Sequence, residues 1–177
     1  MSNGPDLSYD PNPLQRLVQR AAALGPASRI LSGTLHRVDR PILRLSGGRW
    51  TATSLLSGLP VIMLTTTGAR SGQPRSVPLI AIPDGDTLIL IASSFGRTRH
   101  PAWYHNLKAT PRVMVSTRGW SATYIAHEAA GQERERLWPL AVQRYAGYAA
   151  YARRTAHRQI PVMVLVPAPQ LTGDSLP

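Results

Sequence analysis

The chain has 177 residues, of which 43% are apolar, and twenty basic residues against nine acidic ones give it a formal net charge of +11. This length and apolar content predict a folded domain with a core of its own. The absence of cysteine excludes disulfides, a thiol nucleophile, a cysteine zinc site and an iron–sulfur cluster. No apolar run approaches the length of a membrane span and the first residues do not resemble a signal peptide, so we expect a cytoplasmic protein.

The positive charge comes almost entirely from arginine, since Lys108 is the single lysine. The arginines are spread along the chain, and no acidic residue lies between Asp39 and Asp84 or between Asp86 and Glu128. The planar guanidinium group suits phosphate and carboxylate. These two stretches together predict a positively charged cleft for an anionic small molecule, a lipid surface or nucleic acid.

The N-terminal region differs from the rest of the chain. Residues 1–13 are rich in proline, residues 14–25 have helical periodicity, and residues 28–45 carry apolar side chains at steps of three and four with arginines off that stripe. We divide the chain into an arm with amphipathic helices, residues 1–39, and a cofactor-binding domain, residues 40–177. The basic amphipathic segment fits either packing on its own domain or peripheral contact with an anionic membrane.

Strand-like patterns dominate from residue 50 onward. The turn Pro83-Asp84-Gly85-Asp86 and the dipeptide Arg118-Gly119 each separate two apolar segments and predict hairpins. One helix is predicted from Pro101 to about Ala109, and another from about Gln132 through Arg144. The series predicts a small, mostly antiparallel barrel of six or seven strands with flanking helices. The predicted strands are Trp50–Leu56, Val61–Thr67, Ser76–Ile82, Thr87–Ser93, Arg112–Thr117, Trp120–His127 and Ile160–Val166.

Several common catalytic motifs are missing from the sequence. It contains no GxGxxG, no Walker A loop and no GxSxG. His127-Glu128 begins an HExxH pattern, but Gly131 occupies the position of the second histidine. We therefore expect no metal site.

Two segments that follow predicted strands are candidate anion-binding loops. The first, Gly68 to Arg75, combines glycines, hydroxyl groups and two arginines. The second, Ser93 to Pro101, contains two arginines and leads into a helix N-terminus, which favours anions. An ordinary hairpin turn with solvated arginines explains the first loop equally well.

Three tyrosines near the C-terminus share one spacing. Tyr145, Tyr148 and Tyr151 are three residues apart, so on a helix their hydroxyl groups lie over one side. They predict either the wall of a pocket for a planar aromatic ligand or a tyrosine face packed at an interface.

The sequence contains, in this order, the segments TTTGARSGQPR, ASSFGRTRHPAWYHNL, RYAGYAAYARRT and IPVMVLVP. In their order and spacing, these four segments resemble the deazaflavin-dependent nitroreductase family over about residues 40 to 167. The family consists of actinobacterial, flavin-reductase-like split β-barrels of the FMN-binding superfamily that use coenzyme F420. The resemblance implies that fold, a reduced deazaflavin as hydride donor, and quinone-like, conjugated or nitroaromatic molecules as acceptors. It also implies either a monomer or a homodimer.

The resemblance carries the family's site onto matching positions of this chain. It implies catalytic, substrate-side roles for Ser93, Tyr145, Tyr148 and Tyr151. The chain departs from the family pattern at Ala69, Ser94 and Phe95, where a basic residue, a basic residue and glycine are common. The implied cofactor-binding residues are Arg70, Ser71, Gly72, Gln73, Arg75, Val77, Ala92, Ser93, Ser94, Phe95, Gly96, Arg97 and Trp103.

Two other classes of protein remain open at this point. One is a split barrel that binds FMN or haem instead of F420. The other is a non-catalytic basic protein that binds a lipid membrane or RNA. Because the charge is evenly spread and no known RNA- or DNA-binding signature is present, we expect no nucleic-acid partner.

Overall fold

The computed structural model describes residues 58–117, 119–155 and 157–169. These residues form an antiparallel sheet, three helices and a short 3-10 turn at Ser94–Gly96. None of the described helices is long and apolar enough to cross a bilayer. The strands are β1 (Val61–Thr67), β2 (Pro74–Ile80), β3 (Ile82–Asp84), β4 (Thr87–Ile91), β5 (Arg112–Thr117), β6 (Trp120–Glu128) and β7 (Val162–Pro167), and the helices are α1 (Ala102–Ala109), α2 (Gly131–Arg144) and α3 (Gly147–Arg154).

The seven strands form one sheet in the order β2-β1-β5-β6-β7-β4-β3. The strands at its two edges, β2 and β3, are separated in sequence by Ala81 alone. Both edges therefore meet at this residue, and the sheet must curl to bring them together. Ala81 is fully buried, and its N–H donates to the carbonyl of Pro60 at 3.0 Å. This curled antiparallel sheet with flanking helices confirms the predicted split barrel.

The inner face of the curled sheet forms the first core. In β1 the residues Ile62 and Leu64 point into it, while their neighbours along the strand are half-exposed. This alternation is typical of a strand buried on one face. Strands β4, β5, β6 and β7 add further apolar side chains, and α1 contributes Trp103 and Leu107.

Strands β4 and β7 are buried on both faces, which explains their continuous apolar sequences. In β4, Leu88 and Leu90 belong to the first core, whereas Ile89 and Ile91 belong to a second. The second core is covered by α2 and α3, with Leu137, Ala141, Tyr145, Tyr148 and Tyr151.

Most predicted elements are confirmed, and their ends lie within two residues of the predicted ones. The predicted strand Ser76–Ile82 is divided by the bend at Ala81 into β2 and β3. The predicted strand Trp50–Leu56, the N-terminal helices and the division at residues 39 and 40 lie outside the described residues.

Both candidate loops leave the same end of the barrel. Every neighbouring pair along the path β1-β5-β6-β7-β4 is antiparallel, so β1 and β4 run in the same direction. Their last residues, Thr67 and Ile91, therefore lie at one end of the barrel. The first loop follows Thr67, and the second follows Ile91 and Ala92.

Helix α1 connects these two loops through a buried amide. The Asn106 side chain accepts a hydrogen bond from the Ala69 N–H at 3.0 Å and donates one to the Thr66 hydroxyl at 2.9 Å. That hydroxyl in turn donates to the carbonyl of Arg75 at 3.3 Å. One side chain thus anchors the first loop to the helix that follows the second loop.

We predict that Asn106→Ala lowers the free energy of unfolding by ~1–3 kcal/mol, because it removes two hydrogen bonds from a buried site. Urea denaturation of both proteins measures the difference. The control, His105→Ala, changes an exposed neighbour on the same helix and should stay within about 0.5 kcal/mol of the wild type. Equal denaturation midpoints for wild type and Asn106→Ala would contradict the anchoring role.

Candidate functional site

The first loop is a compact turn whose backbone is largely satisfied from within. The Gly68 N–H donates to the carbonyl of Gln73 at 2.9 Å, and the N–H groups of Ser71 and Gly72 donate to the carbonyl of Gly68. A Cβ on Gly68 would come within 2.7 Å of the Ser71 hydroxyl and 3.2 Å of the Gln73 carbonyl, so a larger residue here would require both to shift. Because these N–H groups are occupied, an anion here is met mainly by side chains.

The side chains that the first loop offers are cationic and exposed. Arg70 and Arg75 are both solvent-exposed, as are Ser71, Gly72 and Gln73 between them. Three ion pairs form among the described residues, Lys108–Glu128, His127–Glu133 and Arg136–Asp84. None of them involves Arg70 or Arg75, so these two guanidinium groups remain available to an anion.

The second loop has a strained backbone at the centre of its turn. Ser94 and Phe95 have φ angles of 49° and 57°, in the left-handed region that residues other than glycine rarely adopt. Such conformations cost roughly 1–3 kcal/mol each and concentrate at functional sites. Phe95 is 39% exposed, and its ring meets the edge of the Tyr151 ring at a centroid distance of 6.3 Å.

Two arginines that sequence reasoning did not single out contact this loop from the C-terminal side. Arg154, in α3, lies with its Cζ 4.9 Å from the centroid of the Tyr151 ring and donates to the carbonyl of Phe95 at 3.4 Å. Arg158 follows α3 and donates to the carbonyl of Ser93 at 3.0 Å. Their positions in sequence gave no sign of this, because sixty residues separate them from the loop.

The three tyrosines lie together, but not on one helix. Helix α2 ends at Arg144, and Tyr145 has an extended backbone before α3 begins at Gly147. The Tyr145 ring folds back over Gly147, where a Cβ would overlap it. Its hydroxyl lies 3.0 Å from that of Tyr151, and the two form a buried hydrogen bond. The prediction that all three tyrosines share one helix is therefore wrong for Tyr145.

Tyr148 differs from the other two tyrosines in its hydroxyl. The side chain is only 4% exposed, and its ring packs edge-on against Tyr145 and Tyr151. The hydroxyl forms no hydrogen bond with the side chains or backbone that the structure describes. It is thus the member of the cluster best able to donate to a bound molecule.

Burial raises the pKa of the hydroxyl in all three tyrosines. For Tyr145 and Tyr148, the proximity of the Tyr151 hydroxyl adds to this rise in pKa. All three hydroxyl groups therefore stay protonated at neutral pH and are hydrogen-bond donors.

Other predicted site residues lie in the core rather than at an open surface. Ala92 is fully buried, Ser93 is 8% exposed and Trp103 is 8% exposed. Trp103 packs in the first core, and the partly buried Val77 of β2 packs against that core. Ala92 and Trp103 therefore have the surroundings of packing residues, whereas Ser93 begins the turn of the second loop.

A cleft of about 760 Å³ lies elsewhere among the described residues. Lys108, Glu128, Arg134 and Trp138 are among its lining residues, and none of the predicted site residues lines it. Three of its charged groups are already engaged, since Lys108 pairs with Glu128 at 3.1 Å and Arg134 donates to the carbonyl of Ile160 at 2.8 Å. Among the described residues, no group of three His, Asp or Glu side chains is placed to hold a metal ion.

Comparison with known proteins identifies the family. The model of the F420H(2)-dependent quinone reductase family matches residues 35–167. An F420H(2)-dependent quinone reductase of Mycobacterium tuberculosis is 38% identical over 109 residues, which are 60% of this chain and 72% of that protein. An F420H(2)-dependent quinone reductase from another strain of that organism has the same identity and coverage.

Two solved structures are also similar to this chain in sequence and fold. The structure of an F420-H2-dependent reductase is 41% identical, covers 60% of this chain and 93% of its own, and has a TM-score of 0.55. A domain-swapped dimer is 34% identical, covers 80% of this chain and 99% of its own, and has a TM-score of 0.58. The chain therefore belongs to the F420H(2)-dependent quinone reductase family, whose members are oxidoreductases that depend on reduced coenzyme F420.

Proposed function

We propose that this protein reduces quinones with a hydride from reduced F420, with nitroaromatic and other conjugated molecules as further acceptors. One observation carries the site assignment: the exposed arginines of the first loop and the strained second loop lie at one end of the barrel, where Asn106 anchors the first loop to the helix that follows the second. Quinone reduction is the activity in the name of the family that matches the chain. The wider range of acceptors rests on the resemblance of the four sequence segments.

The residues present fit an anionic, planar cofactor. Coenzyme F420 carries a phosphate and an acidic tail, and Arg70, Ser71 and Arg75 are exposed and without carboxylate partners among the described ion pairs. These residues would hold the phosphate, while Ser93, Ser94 and Gly96 would border the deazaflavin ring. When bound, the reduced cofactor would supply a hydride, which carries two electrons and one proton together.

The chain's own part in the reaction is to place and polarise the acceptor. We infer that the Tyr148 hydroxyl donates a hydrogen bond to the acceptor oxygen as negative charge develops there. Its raised pKa keeps the donor proton in place. The buried aromatic cluster around it excludes water, which strengthens this hydrogen bond. Tyr145 and Tyr151, bonded to each other, hold the Tyr148 ring in position.

Two predictions about partners stay proposals. We propose a homodimer, and the relative solved as a domain-swapped dimer supports it, because it covers 80% of this chain. Multi-angle light scattering should give twice the chain mass, and a monomer mass would contradict it. A cytoplasmic location and membrane contact through residues 1–39 remain expectations from the sequence alone.

We predict that Arg70→Ala and Arg75→Ala each weaken binding of oxidised F420 by roughly 1–3 kcal/mol, because each removes a charged hydrogen-bond donor from the proposed phosphate site. Fluorescence titration with F420 measures the affinity, with FMN titrated in parallel. If the wild type binds FMN more tightly than F420, the cofactor assignment is wrong for this chain, although the fold assignment stands.

Arg136→Ala is the matched control for these two variants. It removes the same charge from the surface, but Arg136 bonds Asp84 at the β3–β4 turn. Its F420 affinity should equal that of the wild type. If all three variants lose affinity to the same degree, the effect is one of net charge, and the phosphate site lies elsewhere.

We predict that Tyr148→Phe leaves F420 affinity unchanged and slows quinone reduction by roughly tenfold or more, since it removes a hydrogen bond made in the transition state. Steady-state oxidation of F420H2 by a soluble naphthoquinone measures the rate. The control, Tyr104→Phe, removes a hydroxyl that donates to Glu128 and keeps the ring, so it should not alter turnover. Loss of folding in Tyr148→Phe, detected by circular dichroism, would show a structural role instead.

The pH dependence of the reaction tests the same group. Burial raises the Tyr148 pKa above its ordinary value near 10, so the donor form persists as the pH rises through that value. The quinone reduction rate should therefore not fall with a midpoint near pH 10. A fall there that is absent in Tyr148→Phe would mean that the hydroxyl titrates as an exposed tyrosine.

A further inference from the structure

The second loop needs something to hold it in its strained form. Ser94, Phe95 and Gly96 have consecutive positive φ angles, and two of them are not glycine. The backbone hydrogen bonds described within the turn are that of the Gly96 N–H to the Ser93 carbonyl at 3.0 Å and that of the Arg97 N–H to the Ser94 carbonyl at 3.1 Å. From outside the turn, Arg154 donates to the Phe95 carbonyl at the longer distance of 3.4 Å. Two neutral backbone bonds add little net stability against the strain of two residues other than glycine in the left-handed region.

A single guanidinium group spans both ends of this turn. Arg158 Nη2 donates to the carbonyl of Ser93 at 3.0 Å and to the carbonyl of Arg97 at 2.8 Å. Arg158 Nε donates to the same Arg97 carbonyl at 3.1 Å. Because Ser93 and Arg97 flank the three left-handed residues, these bonds fix the distance across the turn.

The third nitrogen of the same group reaches a histidine. Arg158 Nη1 lies 3.0 Å from Nδ1 of His100, which must accept this hydrogen bond because a guanidinium has no acceptor. Nδ1 accepts only when the imidazole is neutral. The Arg158 fork therefore ties the turn to the segment that leads into α1.

We propose that Arg158 is a positioning residue for the deazaflavin ring, because it holds the Ser93–Arg97 turn in the shape that borders the ring. This inference rests on the proposed function of the same site. The three nitrogens of the planar guanidinium group bond three acceptors, on Ser93, Arg97 and His100. The single ammonium group of lysine cannot reproduce this arrangement. None of the three described ion pairs includes Arg158, so its charge also adds to the positive potential beneath the loop.

The charges around His100 make this restraint sensitive to pH. The ring is packed against Tyr104 and His105 of α1 and faces the Arg158 guanidinium, with Glu128 of β6 as the acidic group in range. Burial, Arg158 and His105 all lower the His100 pKa, and Glu128 opposes them. His100 is therefore neutral at neutral pH, and acid removes the acceptor and places two positive charges side by side.

The first test compares Arg158→Ala and Arg158→Lys with Arg153→Ala, an exposed arginine of α3. Calorimetric titration with oxidised F420 at neutral pH should show an affinity at least tenfold weaker for Arg158→Ala, only partly restored in Arg158→Lys, and unchanged for Arg153→Ala. The KM for F420H2 should rise in Arg158→Ala while the KM for the quinone stays constant. Wild-type affinity in a folded Arg158→Ala protein would overturn the proposal.

The second test uses pH and does not depend on the stability of the arginine variants. Wild-type affinity for F420, measured from about pH 8 down to about pH 5, should fall below pH 6.5, because the His100 pKa is lowered from that ordinary value. In His100→Asn, the side-chain carbonyl accepts at any pH, so this variant should lose the part of the fall that the histidine causes. Identical pH profiles for both proteins would overturn the role of His100 in the restraint. Failure of the wild type to bind F420 at either pH would instead overturn the proposed function, so the two failures are distinguishable.

Discussion

The bend at Ala81 is the constraint on which the rest of the fold depends. It makes the two edge strands of the sheet one stretch of chain, so the sheet has to curl around its inner core. Antiparallel pairing along the sheet makes β1 and β4 point the same way, so both loops leave one end of the barrel, and the curl brings these two strands around toward each other. A flat sheet with the same strands would place the ends of β1 and β4 four strands apart. The site is therefore a product of closure as much as of the loop sequences.

The site is built in layers around that end of the barrel. Arginines of the first loop face solvent, Asn106 secures that loop from α1, and residues after α3 secure the second loop. The tyrosine cluster belongs to the second core, which shares β4 and β7 with the first. The second loop follows β4, and the tyrosine cluster packs on β4 and β7, so both features rest on the same part of the sheet.

Local patterns predicted the elements well, since period-two alternation and turn residues act between near neighbours. The strand Val61–Thr67 and the hairpin of β5 and β6 are of this kind. The contacts that complete the site were not predictable, because they join residues far apart in sequence. Arg158 meets Ser93 across 65 residues and Asn106 meets Ala69 across 37. The break at Tyr145 was also missed, because a three-residue spacing continues smoothly through a position where only the bare Gly147 lets the ring fold back.

Burial of β4 on both faces has a consequence for how this strand finds its place. In a strand with one polar face, a slip of one residue turns apolar side chains toward water, and that penalty sets the pairing. In β4, residues 88–91 are apolar on both sides, so polarity does not distinguish the correct register from its neighbour. The tight turn at Gly85 and the shapes of the facing side chains on β7 must set it instead. Length changes in that turn would displace the second loop and the site with it, while the strand itself stayed buried.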